Sequence, residues 1–176
     1  MKRAAILLVL LAVGCSIPRS VPEGSVVTGQ KVNPQGKVLV LAVADGQEQG
    51  QDPAKGSGRG MVSALRKELM AHAIPLSTTD ASALADGYTE AGKLGFEYVM
   101  KCVITEWEDN ATAWSGKGDK LSISIELYDA KTRQLVAAGS HYRVATGFTF
   151  VSGTPDRFMD ECALGALSKI YGWPLK

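Results

Sequence analysis

The pattern of apolar and polar residues predicts a first half built from strands and helices in alternation. Residues 37–44 form a continuous apolar run of β-branched character, as a strand covered on both faces requires. Residues 61–73 place Met61, Leu65 and Leu69 at helical spacing, with His72 close to the same face. Residues 74–78 then predict a short second strand, and Thr79 or Asp80 can cap a second helix ending at Gly92.

The second half predicts three strands in succession and a last helix. Residues 96–106, 121–128 and 134–144 predict strands. Residues 121–128 alternate most cleanly between apolar and polar, which is typical of an antiparallel strand with one face in water. Pro155 can open a helix over residues 156–171, whose inward face consists of Phe158, Cys162, Ala166, Leu167 and Ile170. The order β-α-β-α-β-β-β-α predicts a single mixed α/β (α+β) domain, with helices packed on a mixed sheet.

The first fifteen residues have the layout of a secretion signal. Lys2 and Arg3 precede the ten apolar residues 4–13, and Gly14 and Cys15 follow directly. The apolar run is too short to span a bilayer, which needs about 20 residues. The alternatives are an ordinary signal peptide beside an incidental cysteine and a cytosolic protein with an apolar start.

The segment Ala12-Val13-Gly14-Cys15 resembles the lipobox of bacterial lipoproteins, although Ala12 stands where that family usually has Leu. The resemblance implies that residues 1–14 are removed as a signal peptide and that Cys15 carries acyl chains. Each methylene buried in lipid contributes about 0.8 kcal/mol, so three chains would hold the protein on a membrane almost permanently. Ser16 stands where Asp would retain a proteobacterial lipoprotein at the inner membrane, so the resemblance implies the outer membrane, facing the periplasm.

Residues 15–35 contain Pro18, Pro22 and Pro34 and predict a flexible tether with a short strand at 25–28, whereas residues 36–176 predict one folded domain. Without Lys2 and Arg3 the chain has 17 basic and 18 acidic residues, spread evenly. This balance excludes the basic surface of a nucleic-acid-binding protein.

Cys102 and Cys162 both fall on apolar faces of their predicted elements. An oxidising periplasm permits a disulfide between them, and packing as two buried thiols is the alternative.

The connection between the third and fourth strands, residues 107–119, is unusual in length and composition. It has thirteen residues, against about two to five in an ordinary hairpin, and it contains two tryptophans. It can pack on its own sheet, dock a partner protein, or stack on a carbohydrate. The candidate partner contacts are Trp107, Glu108, Asp109, Thr112, Trp114, Ser115 and Asp119.

This block, Trp107-Glu108-Asp109 followed by Thr112-Ala113-Trp114-Ser115-Gly116 and Asp119, resembles a family of short proteobacterial lipoproteins of unknown function. The resemblance covers roughly residues 80–172 and implies no biochemical activity, because the family has none assigned. The order of elements is similar, more distantly, to small α/β domains of the curli-secretion lipoprotein and of peptidoglycan-synthase activators, which bind other proteins. Fold alone does not determine function.

No residue pattern indicates catalysis, a metal or a cofactor. Glu106, Glu108 and Asp109 suggest the paired carboxylates of glycoside hydrolysis, but neighbouring residues on one strand and loop usually point apart. The same acids could bind Ca²⁺, but their spacing matches no calcium-binding loop. The glycine-rich residues 55–60 lack the spacing of a phosphate-binding loop. His72 and His141 have no neighbours at metal-ligand spacing, and His141 is predicted on the wetter face of its strand.

The sequence therefore predicts an outer-membrane lipoprotein that binds envelope proteins or helps to assemble them, without enzymatic activity. A subunit of a homo-oligomeric envelope or secretion complex is the alternative within the same class. A periplasmic hydrolase acting on cell-wall glycan is the alternative from another class.

Overall fold

A computed structural model describes residues 20–26, 32–110, 117–145 and 153–174. The strands are β1 (Ser20–Val26), β2 (Val38–Val40), β3 (Leu76–Thr78), β4 (Tyr98–Glu108), β5 (Lys120–Asp129) and β6 (Leu135–Val144). The helices are α1 (Ser57–Ala71), α2 (Leu84–Leu94) and α3 (Met159–Tyr171), the last preceded by a 3-10 turn at Pro155–Phe158.

The strands form one mixed sheet in the order β1-β6-β5-β4-β2-β3. The strand β2 lies parallel to β3 and β4, and every other neighbouring pair is antiparallel. This arrangement confirms the predicted single domain of the mixed α/β class.

The main core lies between one face of the sheet and the helices α1 and α3. The β5 side chains that alternate toward this core are fully buried: Leu121, Ile123, Ile125 and Leu127. A smaller cluster lies between the opposite face and α2, around Leu39, Leu41, Ala91 and Val99. Since α2 contacts chiefly β4, the α2 side of β5 and β6 carries half-buried small polar residues such as Ser122 and Ser140.

Both early helices begin at positions other than those predicted. Helix α1 starts four residues before Met61, at Ser57. Helix α2 starts at Leu84, so the prediction that Thr79 or Asp80 caps it was wrong. The Thr79 hydroxyl instead accepts a hydrogen bond from the Ala81 N–H at 3.2 Å and donates one to Glu90 at 2.5 Å.

The strand predicted at residues 25–28 begins at Ser20 and forms an edge of the sheet beside β6. Residues 20–26 therefore belong to the folded sheet, although the sequence assigned them to a tether. Only residues 16–19 separate Cys15 from it.

Candidate functional site

The hairpin base, which we define as residues 107–110 and 117–120, joins the end of β4 to the start of β5. The Asn110 N–H donates to Asp119 Oδ1 at 3.0 Å, and Asn110 Nδ2 donates to the Gly118 carbonyl at 3.0 Å. Gly118 lies so close to the end of β6 that an added Cβ would be 1.8 Å from the Ala145 oxygen. These contacts hold both ends of the connection together and leave no room for a side chain at Gly118.

Asp119 links the hairpin base to the start of the last helix. Its carboxylate is completely buried, and Oδ2 accepts a hydrogen bond from Arg157 at 2.5 Å. The Arg157 guanidinium lies 4.8 Å from the centre of the Phe158 ring, and that of Arg143 lies 5.3 Å from it. Since such cation–π contacts are favourable, Arg157 is held on two sides. Asp119 therefore has a structural role inside the domain and presents no surface to a partner.

Trp107 belongs to the main core. A β-bulge between Ile104 and Glu106 shifts the alternation of β4 by one residue, so that Trp107 points inward opposite Leu121. The indole is 6% exposed and packs against Gly46, where an added Cβ would lie 2.8 Å from Cε3. This position agrees with the self-packed interpretation of the hairpin and gives Trp107 little surface for a partner.

Glu106 and Glu108 point to the opposite face, where they share the ammonium group of Lys120. The Lys120 Nζ lies 2.8 Å from Glu108 and 3.5 Å from Glu106. The hydrogen bond from Lys120 lowers the pKa of Glu108, and the same bond raises the pKa of Lys120. Glu108 is therefore ionised at neutral pH and is unsuited to donate a proton to a leaving group.

Asp109 is the exposed acid of the hairpin base. Partial burial of its carboxyl group contributes most to raising its pKa, and the negative charges of Asp119, Glu48 and Asp156 add to this effect. Beside it lies an open polar cleft of about 450 Å³, lined by Gln47, Glu48, Thr105, Glu106, Glu108 and Asn110 among others. Glu108 and Asp109 are thus the candidate partner contacts that lie at the surface. Thr112, Trp114, Ser115 and Cys15 lie outside the described residues.

Asp45 holds the glycine-rich segment before α1 by hydrogen bonds to its backbone. The sequence did not predict this contact. The Asp45 carboxylate accepts hydrogen bonds from the N–H groups of Gly56 at 3.1 Å and Gly58 at 2.8 Å. These bonds lower the pKa of Asp45, and the bond from the Gly58 N–H contributes most to this effect. A carboxylate of the chain itself therefore occupies the helix N-terminus at which a phosphate loop binds its anion.

The two histidines lie apart and contact no common site. The His72 ring stacks on Trp173 with 3.6 Å between ring centres, and its Nδ1 lies 2.9 Å from the Glu68 oxygen. The prediction that His141 faces water was wrong, because its ring lies buried against Gly165 of α3. Across residues 20–26, 32–110, 117–145 and 153–174, no group of three His, Cys, Asp or Glu residues is placed to hold a metal ion.

The two cysteines of the domain are free and buried in the main core, not joined by a disulfide. Cys162 Sγ donates to the Leu121 oxygen at 3.8 Å. Among the helices in the described ranges, none has the length and apolar character to cross a bilayer.

No family model matches the sequence, and no curated protein matches it. The structure of a PelC dodecamer from Paraburkholderia phytofirmans is similar, with a TM-score of 0.66 and 14% identity over 86% of this chain and 98% of that chain. The chain shares the fold of PelC.

Two further solved structures share this fold less closely. Lipoprotein GNA1162 from Neisseria meningitidis has a TM-score of 0.52 and 13% identity, over 67% of this chain and 88% of that one. A protein of the family DUF330 from Xanthomonas campestris has a TM-score of 0.50 and 11% identity, over 79% and 88% of the two chains. At these identities the similarity establishes the fold.

The thiols of Cys102 and Cys162 should be inert in the native protein. Burial raises the pKa of both to about 12, and at Cys102 the neighbouring Cys162 adds to the effect. Since the thiolate is the reactive form, we expect no maleimide labelling at neutral pH and two labels after denaturation without reductant. Mass spectrometry of both samples checks this. Labelling of the denatured protein only after reduction would show instead that the two cysteines form the disulfide.

The protein should lose stability as the pH falls through the ordinary histidine range. Burial lowers the pKa of His141 below 6.5, although Glu161, 3.9 Å away, acts in the opposite direction. Because the unfolded chain binds this proton first, the free energy of unfolding should decrease from pH 6.5 down to the lower native pKa. Urea denaturation between pH 8 and pH 5 measures the slope. His141→Gln should reduce this slope, whereas equal slopes for the variant and the unchanged protein would contradict the assignment.

Proposed function

We propose that the protein is a bacterial envelope lipoprotein that acts without catalysis as a subunit of a multi-copy assembly on the outer membrane. The observation that carries this proposal is the fold, which matches 98% of a chain that forms a dodecamer. The layout of the N-terminal residues supports a lipid anchor. The similarity in fold to lipoprotein GNA1162 agrees with such an anchor. Binding of other envelope proteins is the broader form of the same proposal.

The hairpin base supports a structural role more than an enzymatic one. Two of its three acids are engaged within the chain, Glu108 with Lys120 and Asp119 with Arg157. The hydrolase alternative has no specific observation in its favour.

The anchor predicts a clear change in fractionation. Cys15→Ala should leave an uncut precursor or release soluble protein, because the acyl chains provide most of the attachment. Sucrose-gradient fractionation and the intact mass measure both outcomes. Ser16→Ala is the matched control and should remain in the outer membrane, whereas Ser16→Asp should move to the inner membrane. Unchanged mass and fractionation of Cys15→Ala would contradict the anchor.

The assembly is tested by the mass of the mature lipoprotein extracted in a mild detergent. Multi-angle light scattering should give a discrete multimer that persists on dilution. A monomer at every concentration would overturn the proposal that copies of this chain assemble, and would leave only the anchor to be tested.

A further inference from the structure

The sheet has two unlike edges, and among the described residues neither carries a further strand. One edge is β3, beside helix α1, and the other is β1, beside β6. Unpaired edges are exposed templates for strand pairing, which proteins cover, charge or shorten. Two unlike edges on one subunit also have the form of a head-to-tail contact, which closes into a ring when the rotation permits it.

The β3 edge has the features of a strand-addition site. The Val38 N–H donates to the Pro75 oxygen and the Thr79 N–H donates to the Val40 oxygen, so alternate residues of this segment bond to β2. By the two-residue period of a strand, the backbone groups of Leu76 and Thr78 point away from the sheet. A groove of about 380 Å³ runs beside them, lined by Arg66, Met70, Ile74, Leu76, Ser77 and Thr78. Met70 is 59% exposed, so an added strand would find apolar surface as well as backbone partners.

The direction of the strands makes β1 of a second copy a suitable occupant. Three antiparallel steps separate β1 from β4, and two parallel steps separate β4 from β3, so β1 runs antiparallel to β3. Rotation about an axis parallel to the strands preserves these directions. The β1 of the next copy would therefore reach β3 in antiparallel orientation and continue the sheet.

From these observations we infer that the β1 edge of each copy pairs with the β3 edge of the next, so that one sheet continues around the assembly. This inference rests on the proposed multi-copy function and adds the surfaces that form the contact. A closed ring built in this way leaves no free edge on any subunit.

The test is cysteine crosslinking in membranes that contain the full lipoprotein. Ser77→Cys is combined in turn with Val21→Cys, Glu23→Cys, Gly24→Cys and Ser25→Cys, because a disulfide requires Cα atoms about 4.4–6.8 Å apart. At least one double variant should give a ladder of covalent dimers, trimers and larger species on oxidation. Each single variant should give none, and two single variants expressed together should give dimers only.

The outcomes separate this inference from the proposed function. Dimers of Ser77→Cys alone would show that β3 meets β3, and would overturn the head-to-tail contact. Absence of crosslinks in a protein that is multimeric by light scattering would overturn the contact and leave the proposed function intact. A monomer by light scattering would overturn both.

A second variant tests the outward-pointing backbone. Thr78→Pro removes the Thr78 N–H while the Thr79 N–H can still bond to Val40, and prolines are tolerated on strand edges that face away from the sheet. The multimer should dissociate at a concentration about tenfold higher than that of the control Thr78→Ala. Equal dissociation of the two would contradict the inference. Should Thr78→Pro fail to fold, as judged by its melting curve, Met70→Glu against Met70→Gln makes the same comparison.

Discussion

Replacement of Asp119 by alanine should lower the free energy of unfolding by about 3 kcal/mol. Removing one partner of a buried ion pair leaves the other charge poorly compensated, and such losses are commonly about 3–5 kcal/mol. The lower end of that range applies here because the Arg157 side chain is 35% exposed and can regain water. The Asn110 N–H loses its acceptor at the same time. Urea denaturation followed by circular dichroism measures the change.

Asp52→Ala is the matched control for this experiment. Asp52 is exposed in the loop before α1, so its replacement should change the free energy of unfolding by less than about 0.5 kcal/mol. A similar small change for Asp119→Ala would show that the hairpin base does not depend on its carboxylate.

Replacement by alanine of the two tryptophans of the connection should have different effects on the stability of the domain. Trp107→Ala should destabilise the domain by about 3–5 kcal/mol, the usual cost of emptying a buried aromatic site. The indole fills space between Gly46 and the main core, and no neighbouring side chain can replace it without moving. The melting transition of the purified variant measures this loss.

Trp114→Ala provides the comparison within the same connection. If Trp114 docks a partner, the change should leave stability within about 1 kcal/mol and abolish capture by a photoreactive residue placed at Asp109. A photoreactive residue at buried Trp107 is the negative control. A loss of several kcal/mol for Trp114→Ala would indicate instead that both indoles pack on the sheet.

The regular part of this fold could be predicted because period and burial agree there. The alternation in β5 placed Leu121, Ile123, Ile125 and Leu127 in the core, and the spacing in the last helix did the same for Cys162 and Ile170. In both elements one face is covered along its whole length, so apolar residues occupy every position that the strand or helix period assigns to that face.

The hairpin base was harder to predict because its key features depend on irregular or distant contacts. The bulge after Ile104 moves Trp107 into the core, and one inserted residue reverses the faces that follow it. The N-cap residue of α1 is Gly56, and the carboxylate that accepts its N–H belongs to Asp45, eleven residues earlier, so the residues next to the helix do not reveal it. His141 is buried because Gly165 leaves room for its ring, and a single sequence does not show that the two meet.

The register of β1 has a consequence for how the molecule stands on a membrane. Ser20, Arg143, Leu121 and Trp107 form one row across four neighbouring strands, so the start of β1 and the hairpin base lie at the same end of the sheet. Five residue steps from Cys15 reach Ser20, a span of at most about 18 Å. With acylated Cys15, this end would face the lipid and the turn after β5 would point away from it. In a ring whose axis follows the strands, every anchor would then lie on the same rim, and the acyl chains of all copies would hold the ring flat against the bilayer.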